Sequence, residues 1–453
     1  MRRLMIALLA FVLFAAACGG GDEAETATEP DTGSDDVATD ETDTTDDEAV
    51  VEDEPAAPAA VVHRVPEDFA TIQAAVDAAA PGEMVLIGEG VYNESVVVET
   101  ENLVIRGVDR NKVILDGEHS EEMANGIIVF ANGVAVENLT VRNYSSNGLF
   151  FTGDYDSDFV LHGYRASYIT AHNNRKYGIY AFNAEYGVIE HSYASGQTDS
   201  GYYVGQCQPC NAVLHNNISE ANTLGYSGTN AGGNLYIVNN EFRNNRAGIV
   251  PNTLDSEELA PQRTAVFAGN WVHGTGNPET PASDNALWEL MFGIGIVLPG
   301  ANDNLVTRNI IESSASAGIA ISWLPDENTW TAERNEVRGN VFRNNPTDAV
   351  LVVLEGTDPL GNCFSDNELS SSVPADIQTV APCDGAAAVI TDFAPITFVS
   401  PPADDANLDY TLVAAPGDQP NMPNALTAEP SPANVLSAFD SFDLDAIELP
   451  TGA

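Results

Sequence analysis

Residues 178–205 read GIYAFNAEYGVIEHSYASGQTDSGYYVG, and this stretch decides the fold. An apolar strand opened by Gly178 is followed by a second strand that ends at His191, and the cycle restarts at Gly201, 23 residues on. The same cycle continues in both directions. Glycine-opened strands recur at Gly126-Ile127-Ile128, Gly148-Leu149-Phe150, Gly178-Ile179-Tyr180, Gly201-Tyr202-Tyr203, Gly225-Tyr226-Ser227, Gly248-Ile249-Val250, Gly295-Ile296-Val297 and Gly318-Ile319-Ala320. Their spacing is 22 to 24 residues, except for one of 30, which indicates an insertion, and one of 47, which corresponds to two units.

Strands this short cannot bury an apolar face alone, so the repeats are expected to stack coil on coil. Each backbone then bonds to the coils above and below at roughly 4.8 Å. Leucine-rich repeats share the period, but their leucine consensus is missing, and a propeller blade needs about 40 residues or more. A second strand ending in Asn or His lies in most units, as at Asn138, His191, Asn217, Asn240, Asn309 and Asn340. The pattern therefore predicts an all-β solenoid.

A short helix precedes the repeats, because Ile72, Ala75, Val76 and Ala79 fall on one helical face and Pro81-Gly82 ends it. Over residues 61–385 the chain resembles the right-handed parallel β-helix proteins of the pectin-lyase-like superfamily. The clearest matches are Thr71 to Ala79, Gly90-Val91-Tyr92-Asn93-Glu94, Leu103-Val104-Ile105-Arg106-Gly107 and Ile114-Leu115-Asp116-Gly117. The resemblance implies a right-handed parallel β-helix with a short N-terminal capping helix. Motifs of pectin methylesterases, polygalacturonases and alginate epimerases are missing, so it implies none of these activities, whereas a lyase, which needs only scattered residues, stays open.

Residues 1–18 resemble a bacterial lipoprotein signal peptide, in which Arg2 and Arg3 precede an apolar run and Ala15-Ala16-Ala17 leads to Cys18. The run is shorter than the roughly 20 residues that a membrane span needs. The resemblance implies that Cys18 is lipidated and that the protein is exported and anchored to the outer face of the cytoplasmic membrane or cell surface. Residues 19–60 contain no Lys or Arg and predict a disordered acidic tether.

The formal net charge is −50, with 17 Lys and Arg against 67 Asp and Glu. This balance argues against nucleic acid as a partner, because phosphate binding needs clustered basic residues. A polyanionic substrate would be repelled unless a cation or a local basic pocket intervened. Residues 386–453 are rich in Pro, Ala and Asp, and we expect an irregular tail, either laid over the last coil or left mobile. We expect a monomer.

Four cysteines remain besides Cys18. In an oxidising compartment an even set is expected to pair, here Cys207 with Cys210 and Cys363 with Cys383. A redox-active pair at Cys207 and Cys210 is the alternative, but such a motif opens a helix and this one follows a strand.

Residues at equal offsets from the repeat glycine are expected to form columns. One residue past the glycine the side chains are mostly aliphatic and should point inward, so Phe150, Tyr180 and Tyr203, two residues past it, should point outward. This aromatic column, with Trp323 in a flanking loop, is the predicted substrate-binding set, which would stack sugar rings. The alternative is that the rings pack under neighbouring loops.

Two residues before the glycine stand Lys176, Asp199 and Arg246. A cation beside an acid or base suits a lyase or hydrolase, so these are the candidate catalytic residues. The alternative is a plain solvated turn.

Asp154, Asp156 and Asp158 match the start of an EF-hand loop, but Phe159 occupies its glycine position, which excludes that motif. The three carboxylates remain candidate ligands of a looser Ca²⁺ site, the one cofactor that the sequence suggests.

The leading hypothesis is a surface lipoprotein that binds polysaccharide or envelope glycan and cleaves it as a lyase or hydrolase. A non-catalytic glycan-binding or envelope scaffold protein explains the missing motifs as well. A metal-insertion accessory protein is a third hypothesis, suggested by β-helix proteins that assist copper insertion into nitrous oxide reductase, although no Met-rich or His-rich tract is present.

Overall fold

The computed structural model describes residues 61–154, 157–353, 358–390, 399–401, 408–433 and 443–451. The predicted signal peptide with Cys18 and the predicted tether lie outside the described residues. No helix in the described ranges is long and apolar enough to cross a membrane.

The glycine-opened strands form one parallel sheet, which we call the glycine face. Its eleven strands are Val96–Val98, Asn125–Val129, Asn147–Thr152, Tyr177–Phe182, Ser200–Gly205, Leu224–Thr229, Ala247–Asn252, Ile294–Pro299, Ala317–Ser322, Ala349–Leu351 and Ser372–Val373. Consecutive strands pair in register, so that Tyr180 lies opposite both Phe150 and Tyr203. The repeat glycine is needed because a Cβ atom at Gly178 would lie 2.6 Å from the carbonyl oxygen of Gly201 on the next coil.

The other strands form a twenty-stranded parallel sheet in two bands. The first band comprises Val62–Val65, Met84–Ile87, Val104–Gly107, Ala184–Glu190, Ala212–His215, Gly232–Val238, Arg263–Ala268, Leu305–Thr307, Glu336–Arg338 and Cys363–Ser365. The second comprises Gly90–Tyr92, Val113–Asp116, Tyr193–Ser195, Ile218–Glu220, Glu241–Arg243, Trp271–His273, Ile310–Glu312 and Val341–Arg343. The long strands Val134–Arg142 and Leu161–His172 run through both bands and join them. Each coil thus contributes to three faces, and the predicted parallel β-helix is confirmed.

The core runs through the coils. Leu149, Ile179 and Tyr202, one residue past the repeat glycine, are fully buried, which confirms the predicted direction of the inward column. The predicted helix spans Ile72–Ala78 and buries Ile72, Ala75 and Val76. Two further helical turns are Ala286–Glu289 and Ile377–Val380, and a small hairpin pairs Leu324–Pro325 with Thr329–Trp330.

A buried asparagine ladder stabilises the turn between the two bands. Its members are Asn217, Asn240, Asn270, Asn309, Asn340 and Asn367. From each of the first five, the side-chain amide donates to the next Oδ1 at 2.9 to 3.1 Å. At the last coil Asn367 donates its backbone N–H to Gln378 Oε1 at 2.8 Å, and Gln378 Nε2 returns a hydrogen bond to Asn367 O. Buried amides of this kind fix the register because an unpaired one is costly.

The described parts of the C-terminal tail contain only the 3₁₀ turns Tyr410–Leu412 and Leu444–Ala446. These two turns lie along coils well before the last one, so the expected position over the last coil is wrong for them, whereas Ile390 is buried at the end of the solenoid and Ala388 N–H donates to Val380 O at 2.8 Å. Buried arginines hold the segment 408–433 through its backbone carbonyls. Arg106 donates to Ala428 O at 2.6 Å, and Arg110 donates to Pro420 O at 3.1 Å.

Candidate functional site

An open cleft lies on the glycine face between the first aromatic coils and a long insertion, residues 277–293, which separates Trp271–His273 from Ile294–Pro299. Its volume is about 670 Å³. The lining residues are Ser146, Asn147, Lys176, Tyr177, Tyr180, Thr198, Asp199, Ser283, Asp284, Asn285 and Ala286. The structure therefore brings together three of the predicted site residues, Lys176, Tyr180 and Asp199. Their roles remain predictions.

Asp199 is the most unusual group of the cleft. The stacked turns fix its backbone, because Asp199 N–H donates to Lys176 O at 3.1 Å and Leu224 N–H donates to Asp199 O at 2.8 Å. The Trp288 indole N–H donates to Asp199 Oδ2 at 3.4 Å, and the Tyr177 hydroxyl also interacts with the carboxyl, whose Oδ1 is buried. Burial raises the pKa of Asp199 to about 6, although hydrogen bonds from Trp288 and Tyr177 and the charge of Lys176 oppose the shift. A carboxyl with this pKa holds its proton part of the time near neutral pH.

Tyr177, which stands directly before the repeat glycine, was not among the predicted site residues. Its ring stacks on Tyr180 with centroids 4.3 Å apart, and burial together with Asp199 raises its pKa well above the ordinary value. An aromatic residue so close to the predicted outward column could have been included among the predicted site residues from the sequence alone.

The predicted aromatic column exists, but it does not offer ring faces to a sugar. Tyr180 is sandwiched between Tyr177 and Phe150, whose centroid lies 4.4 Å away at an interplanar angle of 10°. Because these rings stack on one another along the solenoid axis, their edges and not their faces point outward. Tyr203 is only 3% exposed, so the expectation that it stacks on sugar is wrong and the packing alternative holds for this ring.

Glu257, also missed by the sequence analysis, explains the burial of Tyr203. The Tyr203 hydroxyl donates to Glu257 Oε1 at 2.5 Å under the loop that follows Asn252. Burial raises the pKa of Glu257 to about 8. Nothing in the sequence around Glu257 indicates this, since the loop reads as polar and exposed.

Arg246 is not on the cleft surface, so the hypothesis that its charge meets substrate is wrong. It is 1% exposed and donates to Glu289 Oε2 and to Thr280 O, each at 3.0 Å. Its guanidinium also lies 5.3 Å above the Phe292 ring. Arg246 thus anchors the insertion. Of the two predicted catalytic cations, only Lys176 lines the cleft.

Trp323, Asp154 and Asp158 are not among the residues that line this cleft. The strand before Trp323 is four strand spacings from Ser200–Gly205, roughly 19 Å along the axis. Asp154 and Asp158 are exposed, and Asp156 lies outside the described residues. Across the described ranges no group of three or more His, Cys, Asp or Glu side chains is placed to hold a metal ion, so the Ca²⁺ site stays a prediction.

Both predicted disulfides are confirmed. Cys207 bonds to Cys210 in the turn after Ser200–Gly205, and Cys363 bonds to Cys383 at the end of the solenoid. Both sulfurs of the first pair are buried, which fits a structural bond.

A family model described as "Right handed beta helix region" matches residues 90–259, in agreement with the coil architecture. No curated protein matches the chain. The A-module of the Azotobacter vinelandii mannuronan C-5 epimerase AlgE4 is 15% identical, with a TM-score of 0.46, over 67% of this chain and 91% of that one. Pectate lyase Pel9A is 15% identical, with a TM-score of 0.41, over 77% and 89%. Identities this low carry no statement about activity, and the fold is a right-handed parallel β-helix.

Proposed function

We propose that this protein binds a neutral polysaccharide in the cleft and hydrolyses it, with Asp199 as the proton donor. One observation carries the proposal: a buried carboxyl with a raised pKa stands in the wall of an open cleft. Positioned acids of this kind contribute about 100-fold to 10,000-fold to a reaction.

The chemistry needs a second carboxyl on the cleft. Asp284 supplies it from the insertion, where it is exposed and lies 3.6 Å from the Arg175 guanidinium. In acid–base hydrolysis Asp199 protonates the leaving oxygen, while Asp284 removes a proton from the attacking water. The glycosidic bond breaks. The leaving oxygen takes the proton, and the hydroxyl of the water bonds to the sugar carbon.

The charges favour a neutral substrate over an acidic one. A lyase must neutralise a substrate carboxylate, yet Lys176 is the single cation among the lining residues, and the nearby Arg175 already pairs with Asp284. With a net charge of −50, an acidic chain is also repelled at long range. Hydrolysis therefore suits the cleft better than elimination.

Export to the cell surface, with Cys18 as a lipid anchor, is the second part of the proposal. It rests on the small residues before Cys18 and on the two disulfides, which belong to an oxidising compartment.

The test is a panel of neutral and acidic polysaccharides, with separate assays for new reducing ends and for unsaturated ends. We expect reducing ends from a neutral glycan, with activity falling as pH rises through about 6 because Asp199 loses its proton there. Asp199→Asn should reduce the rate at least about 100-fold. Asp366→Asn, an exposed aspartate at the far end of the solenoid, should not change it.

Three results would contradict the proposal. Unsaturated ends would indicate a lyase, full activity in Asp199→Asn would place the site elsewhere, and binding without products would leave a glycan-binding protein. The last function is the second candidate, because the aromatic edges and amides of the cleft suffice for binding.

A further inference from the structure

The insertion 277–293 is held from one side by residues of a single column. Asp199, Thr223 and Arg246 stand at equivalent turn positions on successive coils and contact Trp288, Pro281 and Glu289 respectively. Arg246 also closes the base of the insertion, because its backbone oxygen accepts from Gly276 N–H at 3.1 Å and Gly293 N–H at 2.8 Å.

We propose that Arg246 is a positioning residue that acts on Asp199 through the insertion, by holding the Trp288 indole against the carboxyl and the segment 283–286 at the cleft rim. This proposal depends on the proposed function only because it assumes that this cleft is the functional site.

The anchor is an ion pair in which Arg246 is buried and Glu289 is partly exposed. Arg246 is 1% exposed, and its partner Glu289 lies in the same helical turn as Trp288, Ala286–Glu289. Removing one partner of a buried pair leaves the other charge uncompensated, which costs far more than the pair contributes. The Arg246–Glu289 contact therefore fixes the turn that carries the indole.

The indole covers Asp199 as well as donating to it. Trp288 is 4% exposed and packs with Met291 against Leu224, Val250 and Val297 on the outer surface of the glycine face. Two opposite effects on Asp199 follow: cover by the insertion raises its pKa, and the indole N–H lowers it. The other groups facing the carboxyl are Tyr177 and Lys176 on the preceding coil, with Arg175 and Asp284 at the rim.

Two variants therefore move the Asp199 titration in opposite directions. Trp288→Phe keeps the cover and loses the donor, so its midpoint should rise above about 6. Arg246→Met releases the insertion and admits water, so its midpoint should fall by about one pH unit or more. Arg246→Lys, which retains the charge, should lie between Arg246→Met and wild type.

The measurement is carbon-13 NMR of the aspartate carboxyl carbons in full-length protein, with the Asp199 signal assigned by its loss in Asp199→Asn. This readout does not depend on any glycan, so it can succeed when the proposed hydrolysis fails. Cooperative thermal unfolding of each variant verifies folding, and Glu289→Gln replaces Arg246→Met if the latter does not fold. An unchanged Asp199 midpoint in a folded Arg246→Met or Glu289→Gln variant would overturn the proposal.

Discussion

Lys176, Asp199 and Arg246 share one offset from the repeat glycine, yet their surroundings differ completely. Lys176 is exposed, Asp199 stands in the cleft wall, and Arg246 is buried beneath the insertion. The offset is a local property of the chain, so the column could be predicted from the sequence. What covers each member depends on a segment about 90 residues further along for Asp199 and about 40 for Arg246. A repeat pattern carries no information about such contacts.

Glu257 allows a test of burial at the residue scale. Its folded pKa of about 8 lies above the ordinary 4.5, so the native state holds the proton more tightly and stability falls as pH rises between these values. Glu257→Gln mimics the protonated form, and we expect it to match wild type near pH 4.5 and to unfold at a higher temperature above about pH 8.

Thermal unfolding across that pH range measures the effect, with the exposed neighbour Glu258→Gln as the matched control. If the unfolding temperature of Glu257→Gln declines with rising pH as much as that of wild type, Glu257 is not buried in its protonated form.

At the scale of elements, the tail acts as an outer layer of the solenoid. Ile447 is buried against Val213, Val238 and Ala268 of the first band, while Leu449, two residues on, is 42% exposed. Burying an unpaired charge is costly, so Ile447→Asp should lower the free energy of unfolding by roughly 2 kcal/mol or more. Leu449→Asp should change it by less than about 0.5 kcal/mol.

Denaturant unfolding of the two variants provides the comparison. Equal stabilities would mean that the tail does not cover this surface in solution. The sequence predicted the coils because each strand repeats its own pattern, but the tail has no period, and its position is set by arginines more than 100 residues away, such as Arg308 at Leu444 O.

At the scale of the whole molecule, the outer surface of the glycine face is open at some coils and covered by loops at others. Loops and the insertion cover the apolar outer residues Val250, Val297 and Val350, whereas the cleft opens near the first aromatic coils. The sequence could not predict which part of this face is open, because outward apolar residues look the same whether a loop covers them or not.

The predicted anchor is tested on the intact chain. Cys18→Ser expressed in a bacterial host should release the protein from the membrane fraction or leave an unprocessed precursor, because lipid is attached at that sulfur. Fractionation with mass spectrometry of the N-terminal peptide measures this. Acylation and membrane retention equal to wild type would rule out Cys18 as the anchor.

The closure of the asparagine ladder at Gln378 bears on self-association. A parallel sheet that ends abruptly presents free donors and acceptors to any other strand, and such edges seed polymers. Here the last ladder amide meets a glutamine whose own amide turns back to Asn367 O, while the disulfide Cys363–Cys383 holds this segment in place. A further coil added at this end would have to displace Gln378 from the ladder, so we expect the solenoid to resist end-to-end association there.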